Sequence, residues 1–184
     1  MSTRDALVIP DPASLPEAWR APIAGVSLAA YLVVEASRLD ALPLPAVLAW
    51  LGVRESVFDR AEERWSDRIT DEMAREGSES DVVYQDLVSR ALSLWARRTP
   101  PLDTEIEAWM TFQRHALAAA DPAELARKLG LTAGDELRLA RLWSDRLRDP
   151  AIAARAASAW TAPLGPLPTL SLSPIVFPPA PEPT

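Results

Sequence analysis

Residues 64–69 read RWSDRI and residues 142–147 read LWSDRL, so one chain spells Trp-Ser-Asp-Arg twice, 78 positions apart. Laid over each other without a gap, residues 26–69 and 104–147 share ten identities. These are Ala30 with Ala108, Leu39 with Leu117, Ala41 with Ala119, Leu51-Gly52 with Leu129-Gly130, Arg60 with Arg138, and the tetrapeptide itself. Similar residues extend the register: Leu28 meets Ile106, Tyr31 meets Trp109, Val53 meets Leu131 and Ile69 meets Leu147. Past the tetrapeptide the spacing slips by 13 residues, and Arg90-Ala91-Leu92-Ser93-Leu94-Trp95 stands against Arg155-Ala156-Ala157-Ser158-Ala159-Trp160. Self-similarity at a fixed offset marks an internal repeat, with the extra residues of the first copy in or near TDEMAREGSESD, residues 70–81.

Each copy has the periodicity of helices. Apolar residues fall at Leu28, Tyr31, Leu32 and Leu39, and again at Ile106, Trp109, Met110 and Leu117, at helical spacing. A short helix follows in each copy and stops at Gly52 or Gly130, where glycine accepts the left-handed geometry of a C-terminal cap. In the second copy Asp121, Pro122 and Glu124 mark its start as a capped first turn. A third helix carries Phe58, Ala61, Trp65 and Ile69 on one face, against Leu139, Trp143 and Leu147. The fourth uses Val83, Leu87, Ala91, Leu94 and Trp95, with a shorter version through Ile152, Ala156 and Trp160 opened by Asp149-Pro150. The expected fold is all-α: two duplicated modules of about four helices each, residues 26–102 and 103–162. A proline-containing N-terminal extension, residues 1–25, and a proline-rich C-terminal tail, residues 163–184, flank them. A buried tryptophan dominates the core of a small helical unit, so Trp65 and Trp143 are the expected central packing residues. Asp67-Arg68 and Asp145-Arg146 are expected off the tryptophan face, tying the third helix to a neighbour by polar contacts.

Composition narrows the function. The chain has 184 residues, 48% of them apolar, enough for one substantial core or two small ones. With no cysteine it forms no disulfide or thiolate metal site. The start, MSTRDALVIPDP, lacks the pattern of a signal peptide and no apolar run reaches the length of a membrane span, so a cytoplasmic protein with no membrane partner is expected. A formal charge of −7 and a pI near 4.8 speak against a phosphate-binding surface and hence against a nucleic-acid partner.

No constellation points to catalysis, a cofactor or a metal. His115 is the one histidine, expected on the polar side of a helix. The carboxylates at Glu62-Glu63, Asp71-Glu72 and Glu76 to Asp81 alternate with arginines in the manner of solvated helix faces and a loop. Residues 161–184 contain eight prolines, which remove amide donors and oppose a helix. Within them TLSLSPIVF, residues 169–177, places Leu170, Leu172, Ile175, Val176 and Phe177 as the expected partner-binding residues. Such a segment either docks on another protein as an extended strand or folds back on its own core.

Two resemblances follow from these motifs. ELARKLGLTAGDELRLARL, residues 124–142, resembles the helix-turn-helix of bacterial regulators, with Ala126 four residues before Gly130 and Leu131-Thr132 after it. A DNA-binding regulator is therefore the alternative reading, although Asp135 and Glu136 stand in the first turn of the helix that would approach DNA. The order Leu-Gly-[Val/Leu], then a polar helix ending in Trp-x-x-Arg, with an aromatic helix before and an Ala-rich helix after, resembles a poorly characterised helical module of myxobacterial proteins, some associated with type VI secretion. The resemblance covers residues 26–167 and implies an accessory or adaptor role, with no catalytic residues. The expected function is a non-catalytic protein–protein interaction adaptor or scaffold subunit, accessory to a bacterial secretion system or other large assembly.

Overall fold

The computed structural model describes residues 3–176. Among them the regular structure is helical throughout, with ten α-helices, a 3-10 turn at Pro12–Ser14, and an isolated bridge between Ile23 and Val26. The described residues form two compact units, one from residues 3–94 and one from residues 95–176. The first holds α1 (Thr3–Val8), α2 (Glu17–Arg20), α3 (Leu28–Leu39), α4 (Leu44–Leu51), α5 (Glu55–Glu76) and α6 (Ser78–Ser93). The second holds α7 (Ile106–Ala118), α8 (Pro122–Lys128), α9 (Ala133–Arg146) and α10 (Pro150–Thr161). The dividing point falls eight residues before the expected boundary at 102, because Trp95 to Glu105 belong with the second unit.

In the first unit α3 is apolar around its circumference and is buried from Leu28 to Val34 and again at Ala36 and Ser37. A helix buried on every side must be packed on every side, and α1, α4, α5 and α6 all lie against it. Within residues 1–25, expected as an extension, Val8, Ile9, Leu15, Trp19 and Ile23 are all buried in this core. In the second unit Ile106, Trp109 and Phe112 of α7 meet Ala126, Leu131, Leu139, Trp143 and Ala156 in one cluster. Glu107 pairs with Arg155, while Arg114 farther along α7 donates to the Ala159 and Ala162 carbonyls, so α7 and α10 run in the same direction.

The three helices at the start of each copy begin at matching places. Leu28 and Ile106, Leu44 and Pro122, and Glu55 and Ala133 are each 78 positions apart. Both short helices close on a left-handed glycine, Gly52 at φ 70° and Gly130 at φ 78°. The caps share their hydrogen bonds: Val53 N–H donates to the Leu48 carbonyl, and Leu131 N–H to that of Ala126, both at 3.0 Å. α5 is the longer of the two helices that carry the tetrapeptide, with 22 residues against 14 in α9.

Trp65 and Trp143 are 0% and 3% exposed. Each indole N–H donates to a main-chain carbonyl in the loop ahead of its unit's long central helix: Trp65 Nε1 to Val26 O at 3.0 Å, and Trp143 Nε1 to Leu102 O at 2.7 Å. Three residues on, the arginine lies over the ring, Arg68 at 5.2 Å from the Trp65 centroid and Arg146 at 4.8 Å from that of Trp143. Side chains three apart on a helix share a face, so the arginines stand on the tryptophan face rather than off it. From there they do tie the helix to its neighbour: Arg68 donates to the Ala18 and Ala21 carbonyls and Arg146 to that of Asp103. The fourth-helix tryptophans do not match in burial. Trp95, just beyond α6, is 2% exposed, whereas Trp160 in α10 is 43% exposed.

Trp143→Phe retains an aromatic ring and leaves the buried Leu102 carbonyl without its donor, so the second unit is expected to lose about 1–3 kcal/mol. Trp143→Ala adds a cavity and is expected to cost about 3–5 kcal/mol. Urea unfolding followed by circular dichroism checks both, and a Trp143→Phe variant as stable as the native chain would show that the N–H contributes nothing.

Candidate functional site

The tail expected to bind a partner runs along the second unit. Ser171 N–H donates to the Pro100 carbonyl at 2.9 Å, and His115 Nε2 lies 2.9 Å from the Gly165 carbonyl. Leu170 and Leu172 pack against the core formed by α7 to α10, and alternation turns the side chain of Ser171 between them outward. Leu172 Cδ1 is only 3.0 Å from where a Cβ would stand on Gly130. Glycine thus serves twice here, supplying the positive φ of the cap and admitting the leucine. Ile175 is half-buried, Val176 is 69% exposed, and Phe177 lies outside the described residues. The structure therefore separates the four described residues: the two leucines are occupied within the chain, and Val176 presents an exposed apolar surface.

A buried charge network pins the same region. Asp135, 1% exposed, lies at the third position of α9 and accepts from Thr132 N–H while Thr132 Oγ1 accepts from its own amide, a closed capping box. Its carboxylate also takes Arg97 Nη2 at 2.6 Å and Arg138 Nη2 at 2.8 Å. Arg97 donates onward to the Gly130 carbonyl at 2.6 Å and to the Ser173 carbonyl at 3.4 Å. Burial pushes the Asp135 carboxyl up, but the hydrogen bonds from Arg97, Arg138 and Thr132 outweigh it and hold the group below the usual carboxylate range. Sequence reasoning placed Asp135 where its charge would repel DNA; the charge instead points inward and is matched by two arginines. Glu136 beside it is pushed up by burial and by the Asp135 charge.

Elsewhere in the second unit Leu117 near the end of α7, Trp160 near the end of α10 and Leu164 just beyond it are 73%, 43% and 46% exposed. The first unit carries an open cleft of about 490 Å³ lined by Trp19, Pro22, Ala30, Leu51, Gly52 and Val53 among others. A smaller polar cleft of about 400 Å³ includes Arg20, Glu72, Arg75 and Ser80. Glu72, expected on a solvated face, is 3% exposed and pairs with Arg75. The pairing had no sequence signal beyond the i, i+3 spacing, which surface pairs share. Among the described residues no group of three or more His, Asp or Glu side chains is placed to hold a metal ion, and no helix is long and apolar enough to cross a membrane.

Comparison of the chain with family models, curated proteins and solved structures gave no match.

Asp135 ties stability to acid. Its folded-state pKa is lowered, so its contribution is complete above the unfolded value of about 4 and is lost as pH falls through the folded value. At neutral pH Asp135→Asn leaves Arg97 and Arg138 without their counter-charge and is expected to cost about 3–5 kcal/mol. Urea midpoints between pH 7 and pH 2 should show a shallower acid loss in the variant than in the native chain; parallel curves would rule out this role. Removing residues 167–184 uncovers the core behind Leu170 and Leu172, and is expected to lower the unfolding free energy of the second unit by about 2–3 kcal/mol. An unchanged melting temperature would mean that the tail contributes nothing to the fold.

Proposed function

We propose that this chain is a non-catalytic adaptor or scaffold subunit, built from two duplicated helical modules, that binds another protein in the cytoplasm as an accessory to a bacterial secretion system or other large assembly. The equal spacing of the helix starts, the paired glycine caps and the two tryptophan hydrogen bonds support one module present twice. The observation that carries the interaction reading is the exposure of three large apolar side chains, Leu117 in α7, Trp160 in α10 and Leu164 just beyond it. Exposed apolar surface is what a protein partner covers, and tryptophan is prominent among residues that dominate binding energy. The resemblance of the Leu-Gly and Trp-x-x-Arg motifs to the myxobacterial module supports the secretion association.

A DNA-binding regulator is the second reading. One observation favours it: α8 and α9 form a helix-turn-helix in which Asp135 is neutralised from within. The net charge of −7 weighs on the other side.

Tagged protein recovered from its own host, with the partner then purified and titrated, tests both. The pair Leu117→Glu and Trp160→Glu is expected to weaken a directly binding partner by about 30-fold or more, the loss of a residue worth 2 kcal/mol or above. Unchanged affinity would remove these two residues from the interface. Sequence-selective duplex binding that persists at moderate salt would replace the adaptor with the regulator.

A further inference from the structure

The tail lies on the second unit through few contacts for its length. Among the described residues from 163 onward, Ser171 is the one whose main-chain N–H meets a main-chain carbonyl, that of Pro100 at 2.9 Å. His115 holds the Gly165 carbonyl, and Arg97 reaches that of Ser173 at 3.4 Å, a long hydrogen bond. Leu170 and Leu172 pack on the core but are only half-buried, and Thr169, Ser171 and Ser173 around them are exposed. The seat beneath is fixed by bonds of its own. Arg97 is held by the buried Asp135 and in turn holds the Gly130 carbonyl at 2.6 Å, so the bare face of Gly130 that receives Leu172 is set independently of the tail. A segment with few buried apolar contacts and few main-chain bonds opens locally while the structure under it stays folded.

We propose that residues 168–173 are a displaceable strap, occupying within the chain a groove that takes an extended Leu-x-Leu segment of a different protein once the strap is released. The tail shows the chemistry of the guest, because Leu170-Ser171-Leu172, between Pro168 and Pro174, is the segment seated there. The guest donates a main-chain N–H to the Pro100 carbonyl, lays one leucine on Gly130 and packs the other where Leu170 stands. Main-chain hydrogen bonding with seats for alternate side chains is an established way for a folded domain to hold a peptide. Proline on either side keeps such a guest extended and lowers the entropy lost on docking. The stability expected to go with the tail corresponds to an open strap in roughly one molecule in 30 to 150. Guest affinity falls by that same fraction while the strap is closed, so the contact is autoinhibitory. A tethered segment competes at an effective concentration of about 1 mM, which gives the open groove a Kd for the free segment of about 7–30 µM. The strap rests on the adaptor reading and supplies a partner chemistry and a means of regulation for it.

The test uses the full chain and a fluorescein-labelled peptide with the sequence of residues 168–175, Pro-Thr-Leu-Ser-Leu-Ser-Pro-Ile, followed by fluorescence anisotropy. The native chain is expected to bind it with a Kd near 1 mM. Leu170→Asp with Leu172→Asp in the chain frees the strap and is expected to tighten binding by about 30-fold or more. Ser171→Pro removes the strap's main-chain donor without adding charge and is expected to tighten it by about threefold to tenfold. Circular dichroism checks that the variants are folded, and Ser171→Pro keeps the test decisive if the aspartate pair is not. A peptide with both leucines replaced by aspartate is expected to lose binding to every form. Equal affinity for native and freed chains overturns the proposal, as does the absence of saturable binding to a folded freed chain or equal binding of the aspartate peptide. Self-association of the native chain over the same concentrations, read by sedimentation, would seat a second copy's tail in the groove and overturn the assignment to a different protein. Each of these failures leaves the adaptor reading to be judged by the partner's dependence on Leu117 and Trp160.

Discussion

In each unit one buried indole anchors the loop ahead of a helix through its N–H, Trp65 in the first and Trp143 in the second, whereas Trp19, also buried, has no partner for its own. A tryptophan in the middle of a small core excludes water from its own N–H, and an unmet donor there costs free energy comparable to a lost hydrogen bond. Trp65 and Trp143 satisfy the requirement with a main-chain carbonyl, Val26 in one unit and Leu102 in the other. That choice fixes the loop ahead of the central helix against the third helix. The arginine on the next turn lies over the ring and holds the neighbouring carbonyls. A four-residue motif thus joins a helix, a loop and a cation in one arrangement, and its repetition carries the arrangement with it.

Around this shared plan the two units differ in what covers the glycine-capped turn. In the second, the proline-rich tail lies across it, with Leu170 and Leu172 inward and Ser171 bonded to Pro100. Arg97 links that tail to the turn and to the buried Asp135 beneath it. In the first, the N-terminal stretch supplies Ile9, Leu15 and Trp19 to the core but leaves the turn at Gly52 facing a cleft. The described part of the tail forms no helix and lays its leucines on helices already formed, whereas the N-terminal stretch buries Val8 and Trp19 from its own short α1 and α2.

Much of the helical plan was legible because it rests on local chemistry. Gly52 and Gly130 marked helix ends, and both adopt positive φ. Asp121 and Asp149 marked helix starts, and their carboxylates accept from Glu124 and Ala151 amides. The tetrapeptide pointed to Trp65 and Trp143 as packing residues, and both are buried. Residues 1–25 were less legible, since Pro10, Pro12, Pro16 and Pro22 read as linker while Val8, Leu15 and Trp19 are core. Proline limits secondary structure without limiting burial, and composition does not separate the two. Trp160 misled for a related reason: its place in the repeat matches Trp95, but burial depends on what stands opposite.

The residues by themselves determined the helices, their caps, the 78-residue register and the apolar alternation of the tail, because each follows from spacing along one stretch of chain. Only the tertiary structure decided where charge and apolar surface finish. Asp135 and Glu72 look like surface carboxylates in the sequence and are buried against arginines in the fold. Leu170 and Leu172 could have served a partner or the chain itself, and the fold puts them on the second unit's core. The sequence leaves such choices open because local spacing sets which side chains share a face, whereas burial and pairing require groups distant in sequence to arrive at the same place. Asp135 meets Arg97 across 38 residues and Ser171 meets Pro100 across 71.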